Sequence, residues 1–375
     1  MQPSINLSNN QKRVILGLCL YPTSSDSEVA RKLSVKRSTF STIKKQLLNP
    51  PYEMIHPVNV PNAKALGSNV LAVGYIDFNP NELDKFISER PKEILERLQY
   101  FPNLVQSIFG HHSGVSFLIS KSFTDIVLAH NEVAGFYHEN RLTSPQNLHL
   151  FIGKNAEDGL HRFNEYGRLL AAHWKIKIDK DYISQSVFSS LGRNTEKISS
   201  LGWKVYEELI KNPGTSIVDL ARISGKPRNT IARWINFFEE NHLFQVRYIP
   251  DFVKLGFNIL TICFLSTRGY DKEKRIQILE MVKKYFYPTD LYSSKKEIVF
   301  ISISKDYFSL RAVEGDFFDE LRKNSLQVII IKKKVFSTRS ITFPKNLEES
   351  MIPLVDYLRS PGKFDLHPFS NQERG

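Results

Sequence analysis

Two cysteines in 375 residues, Cys19 and Cys263, cannot build a disulfide scaffold. Each lies in an apolar run (ILGLCL and ILTICFL), where a thiol behaves as a small hydrophobe, so a reducing cytoplasm is the expected setting. The cysteine spacing makes no metal knuckle, and neither a metal nor a cofactor is expected. The most apolar stretch, near Asn258 to Leu265, is far shorter than the ~20 residues that cross a bilayer. No charged-then-apolar leader opens the chain, which is expected to be neither exported nor membrane-spanning. Gly-rich phosphate cradles, a G-x-S-x-G elbow and H-E-x-x-H are all missing, so nucleotide hydrolysis, acyl transfer and zinc proteolysis have no local support. Acid is also scarce: 39 Asp and Glu face 51 Lys and Arg, leaving +12 and a pI near 9.4. That excess favours a polyanionic partner such as nucleic acid. With 41% hydrophobic residues the chain is globular, and its length suits two or more domains.

What is present is a long-range repeat. Ser25, Glu28, Ala30 and Arg31 lie over Ser216, Asp219, Ala221 and Arg222, and Arg37, Thr39 and Phe40 lie over Arg228, Thr230 and Ile231, at one constant offset. Leu66-Gly67 meets Leu255-Gly256 downstream, and SFLISK (Ser116 to Lys121) matches FISISK (Phe300 to Lys305). Each copy opens on helices: Asn10 to Leu20 and Gly202 to Ile210, then short helices started by the S-x-x-[DE] boxes of Ser25 with Glu28 and Ser216 with Asp219. A third helix follows, Ser34 to Leu47 and Pro227 to Phe238, and then a segment suited to a small β-wing, Met54 to Val60 and Leu243 to Ile249.

The rear of copy one reads as strand Val70 to Phe78, helix Glu82 to Tyr100, strands Leu104 to Phe109 and Val115 to Ser120, helix Phe123 to Arg141 and strand Leu148 to Gly153. Copy two repeats it with strand Ile259 to Ser266, helix Lys272 to Phe286, strands near Leu291 and from Ile298 to Ser304, helix Tyr307 to Lys323 and strand Leu326 to Val335. This β-α-β-β-α-β order is ferredoxin-like. Between the copies, Phe163 to Trp174 reads as a helix, His173 to Ile178 as an added strand and Ser184 to Asn194 as a linker; Leu347 to Leu358 reads as a closing helix. The expected fold is therefore α+β, two winged helix-turn-helix domains (1–62 and 198–252) each followed by a ferredoxin-like, RAM-type domain (63–158 and 253–345). A linker, 159–197, and a C-terminal helix and tail, 346–375, complete the division.

A winged helix-turn-helix places its third helix in the major groove of DNA. In copy one Phe40, Ile43 and Leu47 line the buried stripe, turning Lys36, Arg37, Ser38, Thr39, Ser41, Thr42, Lys44 and Lys45 toward bases and phosphates. In copy two Lys226, Arg228, Asn229, Thr230 and Arg233 take that place, with Ile231, Trp234 and Phe238 inward. Asn229 suits adenine and Arg228 or Arg233 guanine, so the two half-sites of a pseudo-palindromic target should differ.

The order winged helix then β-α-β-β-α-β, with EVARKLSVKRSTF (Glu28 to Phe40), DLARISGKPRNTI (Asp219 to Ile231) and Leu-Gly before each first strand, resembles the Lrp/AsnC, or leucine-responsive, transcription regulators of archaea and bacteria. The resemblance implies a DNA-binding regulator that dimerises through its β-sheets, often with a small-molecule effector between the sheet domains, here unidentified. A tandem chain would form that dimer within itself and could pair again. Two departures stand out. The family's late recognition-helix arginine is Ile43 and Trp234 here, and its Gly-x-x-Asp signature is replaced by Gly110-His-His-Ser-Gly114 and Tyr292-Ser-Ser-Lys-Lys296, which argues against amino-acid sensing. The same architecture also resembles siroheme decarboxylases, for which His111, His112, His138 and His149 are the candidate residues. Because basic third helices are kept in both copies, the expectation is a regulator and not an enzyme.

Overall fold

Serine caps set the register of the helical segments. Ser8, Ser25, Ser199 and Ser216 each accept a hydrogen bond from the backbone N–H three residues on, closing the first turns of α1 (Asn9–Leu20), α2 (Asp26–Lys32), α7 (Ser200–Lys211) and α8 (Ile217–Ser224). At Ser8 the box is reciprocal, with the Gln11 side chain accepting from the Ser8 N–H at 2.9 Å, a cap missed in the sequence because it lies outside the matched blocks. The third helices, α3 (Arg37–Leu48) and α9 (Arg228–Glu240), follow tight turns after α2 and α8.

The computed structural model describes residues 6–90, 92–93, 96, 98, 101–143, 148–154, 159–178, 195–345 and 347–360. The expected linker Ser184 to Asn194 and the tail after Ser360 lie outside these residues. The sheets follow the expected β-α-β-β-α-β order. The first has β2 (Val70–Asp77), α4 (Pro80–Glu89), β3 (Leu104–Phe109), β4 (Ser113–Ser120), α5 (Phe123–Glu139) and β5 (Leu148–Lys154). The second has β8 (Ile259–Ser266), α10 (Lys272–Phe286), β9 (Asp290–Ser293), β10 (Glu297–Ser304), α11 (Tyr307–Lys323) and β11 (Ile329–Ser337). The helix expected from Glu82 to Tyr100 is interrupted after Glu89, where Arg90 leaves helical geometry ahead of Pro91, and Glu93, Glu96 and Leu98 are helical again.

Both sheets have an extra edge strand that the sequence pattern does not reveal. The order in one is β5–β2–β4–β3–β12, with β12 (Thr342–Lys345), and in the other β11–β8–β10–β9–β6, with β6 (Leu160–Arg162). Neighbouring strands within them run antiparallel. These four- and three-residue strands are too short to show alternation, and they form by completing the edges of β3 and β9. No strand forms from His173 to Ile178; instead α6 (Gly167–Trp174) ends at Lys175, which turns left-handed.

The wings also differ from expectation. β1 (Ile55–Pro61) and β7 (Phe244–Pro250) pair with each other in one two-stranded sheet, so neither helix-turn-helix carries a hairpin of its own among the described residues. Each segment supplies only one strand, and its backbone groups find their partner far along the chain.

Two compact units result, each assembled from separated stretches: 1–60 with 160–187 and 244–339, and 61–159 with 188–243 and 340–375. In the first, α1, α2 and α3 share a core with Tyr166, Leu169 and Leu170 of the α6 region and with Tyr248, Leu255 and Phe257. Gly167 permits that approach, since a Cβ there would stand 2.4 Å from the Leu20 side chain. In the second, α12 (Leu347–Arg359) packs on α7, with the Arg359 guanidinium over the Trp203 ring at 4.0 Å and paired with Glu207. No helix among the described residues is long and apolar enough to cross a membrane.

Candidate nucleic-acid interface

Phe40 and Leu47 are fully buried and Ile43 is half-buried, which fixes the rotation of α3. Lys36, Arg37, Ser38, Thr42 and Lys45 are exposed in consequence, and Thr39 is half-buried at the rim. Two expected contacts turn inward instead. Asp26, in the first turn of α2, accepts from the Lys44 ammonium at 2.8 Å and from the Ser41 hydroxyl at 3.3 Å. Burial pulls the Lys44 ammonium down in pKa, but hydrogen bonds and charge from Asp26 and Tyr248 outweigh it and raise the net value. Lys44 and Ser41 therefore clamp α3 to α2 and toward β7, unlike the other candidates of this helix.

In α9, Ile231 and Phe238 are fully buried, and Trp234 stacks on Phe238 with ring centroids 5.9 Å apart. Tyr206 supports this core from α7 and donates to the Leu243 carbonyl at 2.8 Å. Lys226, Arg228, Asn229 and Arg233 are exposed and Thr230 is half-buried. Lys226 lies just ahead of α9 and the others on it, and among the described residues none has an inward clamp equivalent to that of Lys44.

Some cations near these side chains are paired. Lys32 is held by Glu28 at 3.0 Å, Lys44 by Asp26 at 2.8 Å and Arg222 by Asp219 at 3.1 Å. Among the described residues Lys36, Arg37, Lys45, Lys226, Arg228 and Arg233 enter no ion pair. Both third helices also open on residues without a capping side chain, Lys36 and Pro227, so the N–H groups of Arg37 and Ser38 and of Arg228 and Asn229 receive no side-chain cap from these residues. Fixed cations and uncapped N–H groups together suit phosphate oxygens.

Of the candidate histidines, two are neighbours. His111 and His112 pack edge to face at 4.6 Å in the exposed turn between β3 and β4, and His111 Nδ1 lies 3.5 Å from Asp84. His138 is exposed in the last turn of α5, and the His149 side chain lies outside the described residues. No cluster of three or more His, Cys, Asp or Glu able to hold a metal occurs among the described residues.

No protein family matches the chain, and no curated protein does. Solved structures do. A siroheme decarboxylase, NirDL, matches over 93% of this chain and 98% of its own at 9% identity and a TM-score of 0.48. An AsnC family transcriptional regulator from Agrobacterium tumefaciens covers 37% of this chain and 89% of its own at 17% identity and a TM-score of 0.31. AsnC of E. coli covers 40% and 92% at 15% identity and a TM-score of 0.29. The likeness is one of architecture: a mixed helix and sheet chain with AsnC-like neighbours. One expectation is corrected here. The reading of the chain as no enzyme does not stand, because a match that runs nearly the whole length of both chains is to an enzyme.

Proposed function

We propose that the chain binds double-stranded DNA through the outer faces of α3 and α9, as a sequence-specific regulator reading a pseudo-palindromic site with two non-identical helices. The observation that carries this reading is the set of six exposed cations without carboxylate partners, three on or beside each third helix. Lys36 and Arg37 sit at the opening of α3 and Lys226 and Arg228 at that of α9, where uncapped N–H groups add to their pull on phosphate. Arg228, Asn229 and Arg233 carry planar donors that match guanine and adenine edges, whereas Ser38, Thr42 and Lys45 lean on phosphates. One chain then supplies both of the helices that a dimeric regulator takes from two.

The test is a selection of bound duplexes from a random pool, followed by affinity measurements on the selected site. Arg228→Ala should cost on the order of 1–3 kcal/mol and relax one base position, and Lys45→Ala should weaken all sequences alike. Equal, sequence-blind losses from both variants would remove base reading by α9.

A further inference from the structure

Three pairs of elements in the two sheets can be aligned position by position, because β2 and β8 have eight residues each, β4 and β10 eight, and α5 and α11 seventeen. The registers agree as well: Val70 faces Ser120 and Ile259 faces Ser304 at the matching ends. At the fifth residue of the first strand, one sheet pairs Cys263 with Phe300 and the other pairs Gly74 with Ser116. At the eleventh residue of the covering helix, one has Phe317 and the other Val133.

These exchanges decide whether the layer between sheet and helices is filled. Beside β8 and β10, Phe286 packs on Phe300 at 4.7 Å and on Phe317 at 5.1 Å, and Cys263 is buried with them. Beside β2 and β4, two phenyl rings and a thiol are replaced by a hydroxymethyl, an isopropyl and a hydrogen. A cavity of about 50 Å³ remains, about 490 Å³ with its open mouth included, lined by Gly74, Ser116, Leu98, Phe101 and Val133 among others. Gly74 is not required by backbone geometry: its φ is not positive, and a Cβ there would meet nothing closer than 3.9 Å. Its missing side chain is space.

The lining residues are apolar except for Tyr75, whose hydroxyl donates to Asp77, and three others. His130 and Tyr137, on one side of α5, reach the cavity, and neither side chain has a hydrogen-bond partner among the described residues. The third, Ser116, is shared with Ser107 at 3.2 Å. Where α5 carries His130, α11 carries Glu314, which is tied to Lys333 at 2.8 Å and Arg311 at 3.1 Å. Burial lowers the His130 pKa, so the imidazole is neutral at pH 7 and can accept a hydrogen bond. An ionic ligand would be poorly solvated here, and a purely apolar one would leave the imidazole unsatisfied.

We propose that this cavity binds a small monocyclic aromatic molecule with one hydroxyl, its ring in the space that Phe300 and Phe317 fill in the other sheet and its hydroxyl donating to His130. The site stands apart from α3 and α9, and it does not depend on the DNA reading. The experiment is calorimetric titration of the full chain with phenol and with benzene. Saturable one-site binding of phenol, at least fivefold tighter than benzene, is expected. His130→Phe should bring the two ligands within twofold of each other. Ser116→Phe should refill the void and reduce phenol binding at least tenfold; should that variant fail to fold, Gly74→Cys, which the backbone and space both accept, should reduce it severalfold. Equal affinity for benzene and phenol, unchanged binding in the refilled variants, or no saturable phenol binding up to several millimolar would each overturn the proposal.

Discussion

Asp290 opens β9 at 4% exposure, in a knot of buried polar side chains that joins Arg162 to Tyr166 to the sheet. Its carboxylate accepts from the Asn164 N–H at 3.2 Å and from the Thr289 hydroxyl at 2.8 Å. Glu165, a like charge, lies nearby between Arg162 at 3.9 Å and Arg247 at 3.8 Å, and Tyr166 and Tyr292 close the other sides. Burial pushes the Asp290 carboxyl from 3.8 up to about 6, helped by the Glu165 charge and opposed by the two hydrogen bonds. The folded chain therefore holds this proton over a pH range in which the unfolded chain has released it. Stability from the group is complete below about pH 4 and is lost as pH rises to about 6, a loss of about 3 kcal/mol at one pKa unit per 1.36 kcal/mol. Asp290→Asn removes the charge and keeps an acceptor for the Asn164 N–H. Urea denaturation across pH 4 to 8 should find the variant more stable than the wild type by up to about 3 kcal/mol at pH 7, the advantage shrinking toward zero at pH 4. A variant whose difference from the wild type is the same at both ends of that range, or is destabilising at pH 7, would refute the reasoning.

Other outcomes follow from single contacts. Lys44→Ala should cost about 1 kcal/mol of stability through the lost Asp26 pair, with little change in DNA affinity beyond it, which chemical denaturation and DNA titration on the same preparation will separate. Ser216→Ala removes the cap that the Asp219 N–H uses at 3.1 Å and should lower stability by about 1 kcal/mol, readable as a shift in denaturant midpoint. Phe40→Ala, at a fully buried site, should cost about 3–5 kcal/mol and abolish binding with folding, as circular dichroism will show.

Local signals were legible in the sequence and pairings were not. Ser25 and Ser216 announce their helices because a cap acts over three residues, and Val70 to Asp77 or Ile259 to Ser266 announce strands by their apolar β-branched content. That β1 would pair with β7 depends on two segments nearly two hundred residues apart. Helical spacing puts Lys44 and Lys45 on neighbouring outward positions; only the placement of Asp26 on α2 turns one inward and leaves the other free. Gly74 and Ser116 are unremarkable alone, and become a cavity when the register sets them side by side opposite Val133. The assembly of each unit from separated stretches, and with it the role of α6 and α12 as added helices, is likewise a matter of contacts that no periodicity encodes.

In the proposed complex, six unpaired cations on α3, on α9 and beside them neutralise DNA phosphates. The most direct test is the affinity of the full chain for its selected duplex, by fluorescence anisotropy, as salt is raised from about 50 to about 200 mM. One counterion released per cation gives a slope of log affinity against log salt of about −5, a loss of roughly a thousandfold over that interval. A slope near zero, with weak affinity throughout, would contradict the account.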